Sequence, residues 1–421
     1  MDDQSKTIQT ILPHPIVDIF RIHHQPYYIF SLEYRQNSAG LRAYYYLCHI
    51  LNEMGYEAYV VSDKPIPGIR APILTHEIWK FHKKEGRRPI AVYGETTQGN
   101  PLMGDTVVRW ILNTIGHIGA SVRFNDNDLV FYWDRIFACS AESVNLLHLP
   151  VIDRSIFHRK GVADSERQLL CYYAHKYFYF SNGQVDVSRK IKDNCISLCQ
   201  DVQMTHVELA ETLRRTKVLY CYELSAIASE AVFCGCPVVI IKTDYLNNYN
   251  LESQEFVPPI VLEDEIDFDY IPECIDEYID YLSRKEINSW KTINNFVELT
   301  QRAAAEIDST DSVKDVLLSF CEHYSQIYIY GTGYVAKHCY LVLSIIGINI
   351  AGFVVSDNIN DNVYREGMLF GFPVFRLSEI SHSQCDCGFI LAMLTKNEDE
   401  VTVTLIKRGI KNYLCYSLLL N

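Results

Sequence analysis

The sequence predicts an α/β protein of alternating strands and helices on parallel sheets, in two full units and a smaller third. Three observations carry that prediction. Residues 27–62, 218–241 and 327–357 each read as apolar strand, small-residue turn, helix and second apolar strand. A chain of 421 residues is long enough for two or three domains, each burying its own core. The expected boundaries are 1–155, 156–312 and 313–421, the last marked by the polar run Asp308-Ser309-Thr310-Asp311-Ser312.

Composition narrows the class. A hydrophobic share of 48% and a charged share of 21% are those of a soluble globular protein. The net charge of −14 argues against nucleic acid as partner, since that would want a basic face. The 14 cysteines are scattered through apolar runs (Cys48, Cys171, Cys221, Cys339) and read as buried free thiols in a reducing cytoplasm. Two Cys-x-Cys pairs, Cys234/Cys236 and Cys385/Cys387, have no companion ligands at zinc spacing, so no metal site is expected. No apolar run approaches the roughly 18–20 residues of a membrane span.

In the first unit, Tyr27 to Ser31 is a strand, and the polar turn Arg35-Gln36-Asn37-Ser38 follows. Gly40 then opens a helix with Leu41, Tyr44, Cys48, Leu51 and Met54 at helical spacing. Gly55 ends it, and Ala58 to Ser62 is the next strand. Small residues in such a turn let a ligand approach the backbone. The basic run Lys80, Lys83, Lys84, Arg87, Arg88 is either a solvated helix end or a contact for anionic lipid headgroups. Pro89 to Tyr93 is a strand, and the loop at 94–101 lies where open α/β sheets bind ligands. In that loop Asn100 is a candidate ligand contact. Glu95 is the carboxylate best placed to act as a base or to hold a sugar hydroxyl. Asp105 reads as the cap of a helix carrying Val108, Ile111, Leu112 and Ile115, with Arg109 near its start and in reach of a phosphate. Asp126-Asn127-Asp128 precedes a strand and reads as a turn, as does the acidic Asp267-Phe268-Asp269.

In the second unit, Leu169 to Tyr173 is a strand with His175-Lys176 at its C-terminal end, where Lys176 can meet a diphosphate as a point charge. Thr205-His206-Val207-Glu208 is a capping box opening a helix to Arg215. Residues 218–241 follow as strand Val218–Cys221, helix Ala226–Phe233, a C-cap at Gly235 and, after Pro237, strand Val238–Ile241. Glu223 and Glu230 are seven residues apart, so one helical track would bring them to a shared face. The helix entry at Ser225 and Ala226 offers free N–H groups to an anion, and a carboxylate one turn deeper can accept from sugar hydroxyls. A nucleotide-sugar suits that pairing better than a bare phosphate. Beyond Ile241 come a loop rich in Tyr and Asn, an acidic segment and two helices, Glu273 to Leu282 and Ile287 to Ile307.

The third unit opens with strand Ile327–Tyr330 and Gly331-Thr332-Gly333-Tyr334-Val335-Ala336 entering a helix, and its second strand, Ile350–Val355, leads to Asp357. This is the dinucleotide fingerprint in its strand–turn–helix context, so a small Rossmann-like domain is expected. Gly331, Gly333 and Asp357 would hold a nucleotide or NAD(P) there. A nucleotide-sugar ligand or a purely structural role is equally compatible.

Glu230-Ala231-Val232-Phe233-Cys234-Gly235-Cys236-Pro237-Val238-Val239 resembles the donor motif of retaining glycosyltransferases of family 4 and relatives, which have the GT-B fold. Their first motif glutamate is separated from the second by seven residues. Here that position is Tyr222, and Glu223 lies one residue closer. Gly40 is similar to the glycine loop beside the donor diphosphate, and Lys176 to the basic position that holds the phosphates. Residues 90–113 look like a subset from bacterial surface-polysaccharide synthesis (O-antigen, lipopolysaccharide or capsule). Gly371-Phe372-Pro373-Val374 is similar to a turn and strand in small domains appended to sugar-modifying enzymes.

The resemblance implies two Rossmann-like domains in GT-B arrangement plus the third small one. It implies a retaining, metal-independent transfer of a hexose-type sugar from a nucleotide-sugar to a glycan or lipid-linked glycan acceptor. The expected location is the cytoplasm, at the inner membrane face if the acceptor is lipid-linked. No cofactor is required on this reading. Glu230 would bind the ribose, Lys176 with the amides at Ser225 and Ala226 the diphosphate, and Glu223 or Tyr222 the sugar, with Glu95 on the acceptor side. Two other classes stay open: an NAD(P)-dependent sugar-modifying enzyme using residues 331–336, and a non-catalytic glycan-binding protein.

Overall fold

The computed structural model describes residues 24–116, 123–138, 144–180, 187, 189–199, 204–249, 260–263, 275–306, 316–357, 362–380, 386–393 and 395–416. The boundary run 308–312 and Asp267-Phe268-Asp269 lie outside them.

The first domain contains β1 (Tyr27–Ile29), α1 (Ala39–Glu53), β2 (Ala58–Val60), α2 (His76–Lys84), β3 (Ile90–Gly94), β4 (Thr106–Ile111), β5 (Leu129–Tyr132) and β6 (Asn145–Leu146). Its strands are parallel, in the order β2-β1-β3-β4-β5-β6. Ser38 caps α1 by accepting from the Leu41 amide, and Gly55, at φ +89°, turns the chain out of the helix.

The second domain contains β7 (Leu169–Tyr173), α3 (His175–Phe180), α4 (Arg189–Asn194), β8 (Ile196–Ser197), α5 (His206–Arg215), β9 (Thr216–Cys221), α6 (Ala226–Phe233), β10 (Val238–Ile241), β11 (Ile260–Glu263) and α7 (Ile275–Glu306). The parallel order is β11-β10-β9-β7-β8. The capping box at Thr205 and Glu208 forms, and α6 has the bounds its residues predict.

The third domain contains α8 (Val316–Glu322), β12 (Gln326–Tyr330), α9 (Tyr334–Ile345), β13 (Gly352–Val355), α10 (Asn362–Glu366), β14 (Met368–Leu369), β15 (Phe372–Arg376), β16 (Cys387–Leu391), α11 (Thr395–Lys407) and β17 (Tyr413–Cys415). Its order is β14-β15-β13-β12-β16-β17, with only β14 antiparallel. Phe370 and Gly371 both take positive φ in the two-residue β14–β15 turn, the geometry a tight hairpin asks for.

All three sheets are Rossmann-like. The order reverses between β1 and β3, between β7 and β9, and between β12 and β16. Ligands of open α/β sheets bind at such reversals, outside the C-terminal ends of the strands.

Three expectations are corrected. Residues 106–111 form strand β4 and not a helix capped by Asp105. Val108, Ile111, Leu112 and Ile115 fit helical spacing, but Thr106-Val107-Val108-Arg109-Trp110-Ile111 is a β-branched and aromatic run, and the gap between β3 and β5 buries it on both faces. The two helices expected after residue 273 are one, α7, of 32 residues, because Ser283-Arg284-Lys285-Glu286 contains neither Gly nor Pro to stop it. Ile260–Glu263, for which no strand was expected, pairs in parallel with β10.

α7 ties the domains together. Ile279, Tyr281 and Leu282 pack on the second-domain core, whereas Ile293, Phe296, Val297 and Ala304 belong to the core of the first. Thr300 Oγ1 lies 2.8 Å from the Tyr27 hydroxyl, and Phe296 stacks on the Tyr27 ring at 5.8 Å. The last turns of the helix thus pack as part of the first domain.

The third domain is equally integrated. Tyr27 and Ile29 face α1 and α7, while Tyr28 and Phe30 share a core with Val335, Cys339, Val342 and Leu343 of α9. The alternation of one three-residue strand therefore buries two domains on its two faces. His76 Nδ1 meets the Ile345 carbonyl at 3.0 Å at the same junction. Among the described residues no helix is long and apolar enough to cross a membrane.

Candidate functional site

The sheet reversals of the first two domains open onto one cleft of about 460 Å³. Its first-domain wall comes from the turn after β1 and the start of α1 (Asn37 to Leu41, Tyr44), from Glu95 and Thr96 after β3, and from Leu112 and Asn113 after β4. Facing them are Tyr173, His175 and Lys176 at the end of β7 and Leu224, Ser225 and Ala226 at the end of β9. Two Rossmann-like domains meeting in this way form the GT-B arrangement.

Glu95 is 7% exposed and lines the cleft, with Oε2 accepting from the Leu112 amide at 3.0 Å. Burial pushes its carboxyl up to about 7, against the pull of that amide and of the Lys176 charge from the opposite domain. A carboxyl titrating there can take a proton near neutral pH.

Glu223 does not share a helical face with Glu230, because it lies in the loop before α6. Its Oε2 accepts from the Tyr177 amide at 3.0 Å, the Lys176 backbone also bonds the carboxyl, and Oε1 is buried with no hydrogen-bond partner of good geometry among the described residues. Burial raises its proton affinity, and Lys176 opposes that. Both buried carboxylates therefore feel the same lysine from different sides.

Glu230 is held across the domain seam. Arg42 Nη2 of α1 donates to its Oε1 at 2.8 Å, with both side chains no more than 5% exposed. Arg42 Nη1 donates to the Gln36 carbonyl and to His206 Nε2 at 2.8 Å. Burial and the neighbouring Arg42 charge lower the His206 imidazole to about 4, which leaves it neutral and able to accept. Burial pushes the Glu230 carboxyl up and Arg42 pulls it back. A second small cavity, bounded by Asn37, Arg42, His206, Ser225 and Glu230, adjoins this pair.

Ser225 is the N-cap of α6 with no side-chain capping bond; the Ala228 amide donates to the Ser225 carbonyl at 3.1 Å, and the hydroxyl does not compete for the amides before it. Ser225, Ala226 and Lys176 all line the cleft. Gly40 sits in the first turn of α1 and lines the cleft, and an added Cβ there would meet Leu112 Cδ1 at an ordinary 3.8 Å. Tyr222 is buried and stacks on Tyr177 at 5.8 Å, behind the cleft wall.

Two candidates brace the loop after β3. Arg109 is fully buried in β4, donating through Nε to Asp128 at 2.7 Å, through Nη1 to the Thr97 carbonyl at 2.8 Å and through Nη2 to the Gly99 carbonyl at 2.6 Å. Three of its five N–H donors are taken inside the domain, and the fully buried side chain does not line the cleft. Asn100 accepts from the Tyr93 hydroxyl at 2.7 Å and from the Gly104 amide, and donates to the Gly104 carbonyl. Gly104 permits that arrangement, since a Cβ there would lie 2.5 Å from Ala91 Cβ and 2.9 Å from the Ala91 amide. Gly104→Ala is expected to destabilise the fold by about 1–3 kcal/mol, measured by urea unfolding. An unchanged midpoint would show that the loop does not need this approach.

The third-domain candidates lie at the β12/β16 reversal. Gly331 has φ +123° and a Cβ on it would meet the Ala392 carbonyl at 2.8 Å, while Gly333 caps α9 beside open space. The Asp357 carboxylate bonds to Arg408 and to the Ser378 amide, which hold it below the ordinary carboxylate range. Among the described residues no group of three or more His, Cys, Asp or Glu could hold a metal ion.

Sequence reasoning missed Arg42, His206, Asn113, Tyr245 and Tyr249. The last three meet at the seam: the Tyr249 hydroxyl donates to Asn113 Oδ1 at 3.0 Å, and its oxygen lies 2.8 Å from the Tyr245 hydroxyl oxygen.

No protein-family model matches the chain, and no curated protein matches it. Among solved structures it is similar to Spinosyn Forosaminyltransferase SpnP, with a TM-score of 0.34 and 13% identity over 67% of this chain and 95% of that one. The fold stands on the three strand orders, independently of that likeness.

Proposed function

We propose that the chain is a glycosyltransferase that moves a sugar from a nucleotide-sugar donor to a glycan or lipid-linked glycan acceptor. One observation carries the reading: two sheet reversals open onto one cleft, with a helix N-terminus and Lys176 on one wall and Glu95 on the other. Lys176 and the first-turn amides at Ser225 and Ala226 take the donor diphosphate. Arg42 orients Glu230 beside them for the ribose. The acceptor oxygen attacks the anomeric carbon and its proton passes to Glu95. The bond to the diphosphate oxygen breaks with its electron pair, and the developing charge meets Lys176 and the helix terminus.

The motif resemblance adds a bacterial surface-polysaccharide setting, a hexose-type donor, a cytoplasmic location and, against the inversion that in-line attack from the Glu95 wall would give, retention of configuration, which requires the acceptor to attack from the face the diphosphate leaves. The product's anomeric configuration, read by NMR, tests the last of these. The deciding experiment is a nucleotide-sugar screen for binding and turnover. Lys176→Ala is expected to weaken nucleoside diphosphate binding roughly 10- to 100-fold, the equivalent of about 1.5–3 kcal/mol for a charge-assisted hydrogen bond. Unchanged affinity would remove Lys176 from the site.

The β12/β16 reversal favours a second reading, a nucleotide or NAD(P) on the third domain, since Gly331 brings its backbone close to Ala392 beside an uncapped helix start. Thermal stabilisation by NAD(P) and none by UDP, GDP or dTDP would make that reading primary.

A further inference from the structure

The transfer derived above uses one end of the cleft. Beside Glu230 the first-domain side is the turn after β1 and the start of α1, at Asn37, Ala39 and Arg42. The cleft also runs the other way, and no step of the transfer uses that arm. Trp133 and Asp134 line it after β5 and His148 after β6, with Tyr281, Lys285 and Glu286 contributed by α7. Strands β3, β4, β5 and β6 pair in that order, so the arm follows the C-terminal edge of the first sheet away from Glu95. At about 4.8 Å per strand, Trp133 lies about 10 Å and His148 about 14 Å along that edge from Glu95. One strand step is close to the length of one ring in an extended oligosaccharide.

The side chains of the arm select its ligand. Trp133 is half-buried, and its ring packs against Trp110 at 5.8 Å and His148 at 4.7 Å. The face of an aromatic ring is negative and attracts the polarised C–H groups on the apolar face of a sugar. Asp134 pairs with Lys285, and Glu286 with Arg154 at 3.3 Å, so both carboxylates of the arm have a cation beside them. A phosphate would meet two carboxylates whose cations are already engaged, and an apolar group would strip water from two ion pairs. A sugar hydroxyl can donate to Asp134 and accept from Lys285 at once. Burial and the Lys285 charge lower the His148 imidazole to about 4, against the pull of Asp134, so the ring is neutral. A neutral ring adds a donor on one nitrogen and an acceptor on the other.

We propose that this arm is the subsite for the acceptor sugar units next to the one that reacts at Glu95, with the neighbouring unit stacked on Trp133 and a hydroxyl of it shared between Asp134 and Lys285. This rests on the transferase reading and names its acceptor as an oligosaccharide of two or more units. The next unit reaches His148. Because Lys285 belongs to the helix that joins the domains, the subsite is complete only when the domains are together.

Calorimetric titration with UDP, GDP and dTDP, and with malto-, cello-, chito- and α-mannooligosaccharides of one to three units, tests the assignment on wild type, Trp133→Ala, Trp133→Phe and Asp134→Asn. In wild type, one oligosaccharide series is expected to bind about tenfold more tightly as the disaccharide than as the monosaccharide. Trp133→Ala should erase that increment and Trp133→Phe keep most of it, with nucleoside diphosphate affinity within twofold in both. Asp134→Asn should shrink the increment in the same selective way, and it carries the test if Trp133→Ala fails to fold. An increment that survives both Trp133→Ala and Asp134→Asn overturns the subsite. So does an equal loss of nucleoside diphosphate affinity in Trp133→Phe, which would place the nucleobase on this ring. If no oligosaccharide binds wild type while a nucleoside diphosphate does, the subsite falls and the transferase reading stands. If no nucleoside diphosphate binds, the transferase reading falls and the acceptor subsite with it.

Discussion

Arg42→Ala is expected to destabilise the protein by about 3–5 kcal/mol, the largest stability loss at any residue of the site. The reason is the charge it leaves behind. Glu230 is 4% exposed, and its carboxylate receives the Arg42 guanidinium at 2.8 Å. Without Arg42 the carboxyl must be buried as an unpaired charge or take up a proton, and the neutral His206 ring cannot substitute as a cation. Two further bonds, to His206 Nε2 and the Gln36 carbonyl, are lost as well. Urea unfolding at neutral pH measures the loss. The double variant Arg42→Met with Glu230→Met separates charge from packing, because replacing a whole buried pair by apolar groups is about neutral. If Arg42→Ala costs under about 1 kcal/mol, the pair is not what holds the first two domains together. If the double variant is as unstable as the single one, the cost is one of shape.

The same pair shows where reading the sequence stops. Helix α6 was legible to the residue because its punctuation is local: an extended Ser225, a left-handed Gly235 and Pro237 immediately after. The capping box at Thr205 was legible for the same reason. Residues 106–111 were not, since their apolar spacing satisfies a helix as well as a strand, and only burial between β3 and β5 decides. The unbroken α7 needed the reverse inference, that a run without Gly or Pro continues across a domain boundary. For the site, the carboxylates and Lys176 stood out because charged residues at strand ends are rare enough to notice. Arg42 did not: it lies off the apolar arc of α1, and its partner is 188 positions away. The Asn113–Tyr249 bond spans 136 positions and has no local signature at all. Tertiary partners of that kind are set by how the domains face each other, which no spacing within one element encodes. Nor did any periodicity announce that α9 of the third domain would cover a face of the first-domain sheet.

Glu95→Gln carries the other large effect, and two separate measurements read it. In the folded protein the Glu95 carboxyl titrates at about 7 against an ordinary value of 4.5, with burial as the main cause. A carboxyl raised in this way binds its proton more tightly in the folded chain than in the unfolded one. Its stability contribution is therefore fully present below the unfolded value and is lost as pH rises through the window from 4.5 to about 7. The loss over that window is about 3 kcal/mol. Glutamine keeps the acceptor for the Leu112 amide and has no proton to lose, so Glu95→Gln should remove this slope from the urea midpoint plotted against pH. The catalytic consequence runs in the opposite direction. A base must be deprotonated to work, so kcat/KM of the wild type should rise with pH to a plateau with a midpoint near 7. Glu95→Gln should lower kcat by about 10²- to 10⁴-fold and abolish that rise, with nucleoside diphosphate affinity unchanged. If the slope in stability disappears but kcat and its pH dependence stay, Glu95 is a buried wall residue and the acceptor's proton goes elsewhere. Loss of both places the acceptor hydroxyl at the Glu95 wall, opposite Lys176.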